Sequence, residues 1–126
     1  MKDQWDAVAA FMEAGGQIIG QEIDHERWQY FIRTDAEVTE TRIAITNGNE
    51  VETADGYADT IYAAMTALLN LAGREKAEQI FQAVVDANTT KIDGSLGPVR
   101  RDENGKILKP AGFVPPNLKI KEILEG

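Results

Sequence analysis

Residues 50–72 read EVETADGYADTIYAAMTALLNLA, and two patterns overlap in them. Val51, Ala54, Ala58, Ile61, Met65, Leu68 and Ala72 recur at alternating three- and four-residue intervals. That spacing predicts a helix over about 50–72 with an apolar seam that packs against other helices. Glu52, Asp55 and Asp59 fall at i, i+3 and i+7 of the same stretch. At the rotation of an α-helix they lie within about 60° of arc, so they form one acidic stripe beside the seam.

Upstream, Asn47-Gly48-Asn49 breaks the pattern. It joins two helical patterns and reads as a helix-to-helix turn, although Asn-Gly also suits a hairpin. Before it, Phe31, Val38 and Ile45 recur every seven residues with Trp28 and Ile32 on flanking positions, which predicts a helix over about 25–46. Glu37 and Glu40 lie three apart on it. A tight turn makes the two helices antiparallel neighbours, so the acidic pairs are expected to face one another. Residues 3–14 predict a short helix with Trp5, Val8, Ala9, Phe11 and Met12 apolar, ended by Gly15-Gly16, and residues 17–24 read as loop or a helical turn. Gly73 ends the helix of residues 50–72, and a fourth helix is expected over about 74–88 with Ala77, Ile80, Phe81, Val84 and Val85 inward. Residues 92–117 hold all four prolines and Gly94, Gly97, Gly105 and Gly112, so they are not regular helix. A short apolar helix over 118–124 finishes the chain. The expectation is one all-α domain over 1–126: a four-helix bundle core over about 3–91 and a long irregular C-terminal tail over about 92–126, its Ile107, Leu108, Phe113 and Val114 favouring docking.

Composition narrows the chemistry. The 126 residues include no cysteine, one histidine (His25) and one serine (Ser95), which excludes disulfides, thiolate metal sites and a cluster of several histidines. A Ser-His-Asp triad would need both lone residues, and neither sits in an elbow motif. His25 reads as a residue near a helix start. No apolar run reaches the length of a membrane span and no signal peptide is expected, so the expected setting is soluble and cytoplasmic. The formal net charge is −8, and a broad basic face for a nucleic acid polymer is not expected. Seven acids against one base lie between Asp35 and Asp59, while residues 91–126 hold seven bases against five acids. An acidic middle beside a mildly basic tail suggests a multivalent cation held next to an anion. Carboxylates that face one another are tolerable if water separates them, if some are protonated, or if a cation lies between. Oxygen ligands without His or Cys suit Mg²⁺ or Mn²⁺. Acids at i, i+3 are more often a plain solvated face, and Trp28, Phe31 and Tyr62, which have the shape to stack on a base, are more often core.

Five segments taken in order resemble one family. Phe11-Met12-Glu13-Ala14-Gly15-Gly16-Gln17, Ala36-Glu37-Val38-Thr39-Glu40, the run from Glu52 to Tyr62, Val85-Asp86-Ala87-Asn88-Thr89-Thr90-Lys91, and Gly105-Lys106-Ile107-Leu108-Lys109 followed by Pro115-Pro116-Asn117-Leu118 are similar to motifs of the all-α nucleoside triphosphate pyrophosphohydrolases. That superfamily includes MazG-type enzymes, and the nearest likeness is to proteins called phosphoribosyl-ATP pyrophosphohydrolase-like. The resemblance implies a four-helix core assembled as a homodimer or homotetramer. It implies a Mg²⁺-dependent hydrolase that cleaves a nucleotide between its α and β phosphates. Glu37, Glu40, Asp55 and Asp59 would then be metal ligands, with Glu37 or Asp55 taking the proton of the attacking water and Glu52 a further member of the stripe. Asn88 and Lys91 would contact phosphate or sugar, and Lys109 would add charge from the tail. Lys106, Arg100 and Arg101 are further cations there, the two arginines reading as ordinary surface charge. The chain departs from the motifs at Ala36, where a Glu is usual, and at Gly56, where many members carry another. Those departures leave one alternative, a non-catalytic helical oligomerisation module with the same fold; a second alternative, a phosphoribosyl-ATP pyrophosphohydrolase proper, is disfavoured by the long tail and by the missing Glu before the Asp.

Overall fold

The helix at the centre of the sequence, α3 (Glu50–Ala72), is set by its two ends. The Asn49 side chain accepts a hydrogen bond from the Glu52 N–H at 3.1 Å, and Glu50 and Glu52 in the first turn meet the positive end of the helix dipole. At the other end the Gly73 N–H closes on the Leu69 carbonyl. A computed structural model describes residues 2–20 and 24–126; of the ambiguous 17–24 stretch, residues 21–23 lie outside the described residues. Among the described residues there are five α-helices and no strand: α1 (Lys2–Ala14), α2 (Asp24–Thr46), α3, α4 (Arg74–Thr89) and α5 (Asn117–Glu125). None of them is long and apolar enough to cross a membrane. The chain divides into two compact units, Met1–Ala77 and Glu78–Gly126.

In the first unit, α2 turns into antiparallel α3 through a tight reversal. The Asn49 N–H reaches the Ala44 carbonyl and the Gly48 N–H reaches the Ile45 carbonyl, with Gly48 at φ 68°. This is a Schellman cap, which needs a left-handed residue at that position, and glycine adopts it without steric cost. The Asn-Gly pair therefore ends a helix here and makes no hairpin. α1 packs against the C-terminal half of α3, and the core gathers Trp5, Val8, Ala9, Met12, Tyr30, Met65, Leu69 and Ala77. Residues 17–20 are loop, fastened to α3 by Asn70 Nδ2 donating to the Ile18 carbonyl and the Gly20 N–H donating to the Leu69 carbonyl. Arg74 Nε donates to Asp6 at 2.6 Å and pins the start of α4 to α1.

On α1 the expected residues Trp5, Val8, Ala9 and Met12 are buried, but on α2 and much of α3 the buried faces differ from the apolar stripes of the sequence. On α2 the residues turned inward are Tyr30, Thr41 and Ala44, with Thr34 and Glu37 half-buried between them, while Trp28, Phe31, Ile32, Val38 and Ile45 are exposed. On α3 the seam is buried only where α1 covers it, at Met65 with Leu68 half-buried; Val51 is 77 % exposed and Ala54, Ala58 and Ile61 are exposed too. Facing α2 instead are the small residues Gly56, Thr53, Thr60 and Ala63. Phe11 is exposed on α1, its ring edge-on to Tyr62 at 5.6 Å. On α4 the buried positions are Ala77, Ile80 and Ala83, and Phe81 and Val85 are exposed. Each helix is where the sequence predicts it; α2 and the N-terminal half of α3 are rotated about their axes, whereas α1 buries Trp5, Val8, Ala9 and Met12 and α4 buries Ala77 and Ile80 as expected. Helices that approach closely do so through small side chains, so the large apolar residues are left outside the contact.

In the second unit, residues 90–116 form turns and one short hairpin. Arg101 bridges Ile107, and Asp102 Oδ1 accepts from the N–H groups of Asn104 and Lys106 to hold the reversal. Pro116 precedes α5, whose Ile123 borders an open groove of about 670 Å³ with Ala83 and Ala87 of α4 and Val114 and Pro115.

Candidate functional site

The four acids singled out on α2 and α3 are brought into one another's field. Glu37 lies on the inward stripe of α2 and is half-buried; Glu40, Asp55 and Asp59 are exposed at the edge of the same helix pair. Burial pushes the Glu37 carboxyl above its ordinary range, and the negative charges of Glu40, Asp59 and Asp55 push it further. Burial also raises Asp59, with the charge of Asp55 next and that of Glu40 after it. Glu40 on the same helix acts on Glu37 and Asp55 on Asp59, and in each pair the neighbouring carboxyl favours the protonated form. Glu37 Oε2 is shut off from solvent and has no hydrogen-bond partner. Glu52 stands apart: it is exposed in the first turn of α3 and does not act on Glu37 or Asp59.

The cross-helix approach has a local cause. Gly56, buried, sits between Asp55 and Asp59 in sequence, and opposite it is Thr41, 5 % exposed and one residue beyond Glu40. A Cβ on residue 56 would lie 3.0 Å from Thr41 Cβ and 3.1 Å from its Cα, with Thr41 Oγ1 nearer still. The Thr41 hydroxyl donates to the Glu37 carbonyl at 2.7 Å, and the Thr60 hydroxyl to the Gly56 carbonyl at 2.8 Å. These bonds satisfy polar groups in a contact that has few apolar atoms. Thr34 and Thr41 are seven apart, as are Thr53 and Thr60, and those two polar heptads are the signal in the sequence that marks the true helix contact.

A hard divalent cation would relieve both the mutual repulsion and the unpartnered Glu37 oxygen, and an all-carboxylate donor set is the kind it takes. Among the described residues, no three Asp, Glu, His or Cys side chains are drawn tightly enough together to grip an ion as they stand. The match to such an ion is one of donor chemistry alone.

Asn88, Lys91 and Lys109 belong to the second unit. Asn88 Nδ2 donates to the Val84 carbonyl one turn back at 3.0 Å, and Asn88 and Lys91 border an open groove of about 550 Å³ with Phe81, Val85 and Ile107. Lys91 Nζ and Lys109 Nζ lie 5.2 and 5.5 Å from the centre of the same ring, Phe113. The Lys109 carbonyl accepts from the Arg100 guanidinium at 2.6 Å. Phe113 as a platform for two cations was not legible in the sequence, because only the fold brings residues 91, 109 and 113 to one place. Trp28, Phe31 and Tyr62, expected in the core, are all exposed; Trp28 and Phe31 meet edge-to-face at 5.7 Å. The His25 side chain lies outside the described residues. No protein-family model matches the chain, and no curated protein sequence does.

Proposed function

We propose that this chain is a Mg²⁺-dependent nucleotide pyrophosphohydrolase of the all-α, MazG-like kind, cleaving between the α and β phosphates to give a monophosphate and pyrophosphate. The observation that carries the reading is that Glu40, Asp55 and Asp59 lie near enough for their charges to act on the half-buried Glu37, one of whose oxygens is shut off from solvent without a partner. Those four carboxylates would hold Mg²⁺, or Mn²⁺ in its place. When bound, the ion neutralises phosphate charge and makes water a better nucleophile. Glu37 is the residue best suited to accept the proton of the attacking water, because its carboxyl is held above the ordinary range and so nearer the working pH, with Asp55 the other candidate base. Within the second unit, Lys91 and Lys109 carry positive charge and Asn88 an amide, groups whose chemistry suits phosphate or sugar. The exposed apolar face of α2 and α3 supports assembly as a homodimer or homotetramer, with the four-helix core completed between copies.

The test is release of pyrophosphate from a panel of nucleoside triphosphates and from phosphoribosyl-ATP in the presence of Mg²⁺. Glu37→Gln and Asp59→Asn are each expected to lower turnover by about a hundredfold or more while leaving the helical circular dichroism intact. Full activity in both variants rejects the assignment. A preference for phosphoribosyl-ATP would move the reading to that enzyme. The loose spacing of the acids and the glycine at position 56 favour a second reading, a non-catalytic helical module. Calorimetry with Mg²⁺ and a non-hydrolysable nucleotide separates the two, since the module binds neither.

A further inference from the structure

Asn-Gly occurs at Asn47-Gly48 and again at Asn104-Gly105, and all four residues are exposed. The dipeptide is chemically labile. With no side chain on the glycine, its backbone nitrogen reaches the asparagine Cγ unhindered. A bond forms between that nitrogen and Cγ, and the Cγ–Nδ2 bond breaks. The nitrogen's proton passes to solvent base and the side-chain amide departs as ammonia. Water then opens the five-membered imide at either carbonyl. One opening leaves aspartate; the other leaves isoaspartate, whose main chain runs through the side-chain carbon. Both steps need only water and base.

The two pairs are held alike at the reacting atom and differently around it. Both glycines have left-handed backbone, φ 68° at Gly48 and 82° at Gly105. Each N–H donates to the carbonyl three residues back, Ile45 or Asp102, at 3.1 Å. The nitrogen must leave that bond to react, so the rate follows how often each turn opens. Opening at Gly48 undoes the reversal between two 23-residue helices, where the Asn47 N–H is also held by the Ile43 carbonyl and the Asn49 N–H by the Ala44 carbonyl. Opening at Gly105 undoes only the short hairpin. Asp102 Oδ1 accepts from the Asn104 and Lys106 N–H groups at 2.8 and 2.9 Å, and the strands meet at the bridge between Arg101 and Ile107. A lone two-stranded hairpin is marginal in water.

The structure assigns Asn104 as a site of spontaneous deamidation in the folded protein, its rate held down by the Asp102 side chain, and Asn47 as its protected counterpart. The modification reaches beyond the turn. Either product adds a negative charge to a hairpin that carries Arg100, Arg101, Lys106 and Lys109. Isoaspartate also lengthens the main chain by one methylene between Asp102 and Lys106, which misaligns the N–H groups gathered on Asp102 Oδ1. The same hairpin seats the Arg100 guanidinium on the Lys109 carbonyl, with Lys109 Nζ over the Phe113 ring, so ageing at position 104 loosens the placement of that cation.

The experiment is incubation of the full chain in mildly alkaline buffer, with and without urea, followed by peptide mapping with mass spectrometry. In native buffer Asn104 is expected to convert about tenfold or more faster than Asn47, because opening free energies run from near zero in loops to the global value in packed helices. In urea, where both turns are open, the two rates are expected to agree within about threefold. Asp102→Ala, checked for retained helix by circular dichroism, is expected to speed native conversion at Asn104 by about threefold or more, the factor that a net hydrogen bond commands, and to leave Asn47 unchanged. The native-against-urea comparison on the wild-type chain stands whether or not that variant folds. Equal native rates, an Asn47 that converts first, no conversion of Asn104 in the folded protein, or a folded Asp102→Ala chain that converts no faster each overturns the assignment.

Discussion

Glu37 occupies a position on α2 where a carboxylate is costly, half-buried and surrounded by three other acids. With no cation present, that cost falls on the stability of the fold and gives it a pH dependence. The folded protein holds protons on Glu37 and Asp59 more tightly than the unfolded chain does, so their favourable contribution is full below the ordinary values of 4.5 and 3.8 and is lost as pH rises through the raised folded values. Asp93 works in the opposite sense: the Ser95 side chain and N–H lower its pKa, so its contribution is present above 3.8 and disappears as pH falls through the depressed value. In metal-free protein, Glu37→Gln is therefore expected to unfold at a higher temperature than wild type at neutral pH. The difference should shrink as the pH is taken down toward the carboxylate range, and thermal melts across that range measure it. Asn70 makes a prediction of another kind. It is almost wholly buried, and its amide ties the loop carbonyl of Ile18 to α3. Asn70→Ala leaves that carbonyl unpaired and is expected to cost about 1–3 kcal/mol in urea unfolding.

At the scale of elements, the ends of the helices depend on local chemistry and their buried faces on packing. Asn49→Ala removes the side-chain acceptor at the start of α3 and is expected to destabilise by about 1 kcal/mol. Leu69→Ala, beneath α1, is expected to cost about 2–5 kcal/mol, and both are read from denaturant curves. The ends were legible in the sequence because Gly16, Gly48 and Gly73 punctuate it and Asn49 caps the next helix. The faces were not. Periodicity counts apolar residues, and on α2 it picks Phe31, Val38 and Ile45, which face outward. The contact with α3 is made instead by Thr41, Ala44, Gly56 and Thr60, whose low hydrophobicity hides them from such a count. The acidic stripe was legible for the same reason that the contact was not: charges stand out in a sequence and small residues do not. Glu52 satisfied the spacing of the stripe and still fell outside the coupled group, because it belongs to the exposed first turn.

For the molecule as a whole, the first unit leaves large apolar residues uncovered on both α2 and α3: Phe31, Ile32 and Ile45 on one helix, Val51, Tyr57 and Ile61 on the other. Large exposed apolar surface of this kind marks an interaction face. Ile61, beside an apolar groove of about 300 Å³ lined by Ala7, Val8 and Ala58, is a point at which to test it. Ile61→Glu is expected to weaken self-association by about tenfold or more, seen as a shift toward the monomer in sedimentation velocity. The same variant should keep its helical content, since Ile61 contributes little to the core of a single chain.

The two tryptophans divide this unit between them. Trp5 is 1 % exposed in the core, and Trp28 is 65 % exposed on the outer face of α2. Their emission should accordingly come in two components, a blue one that iodide cannot quench and a red one that it can. Unfolding would be followed on the first and assembly on the second, in one cuvette and without a label.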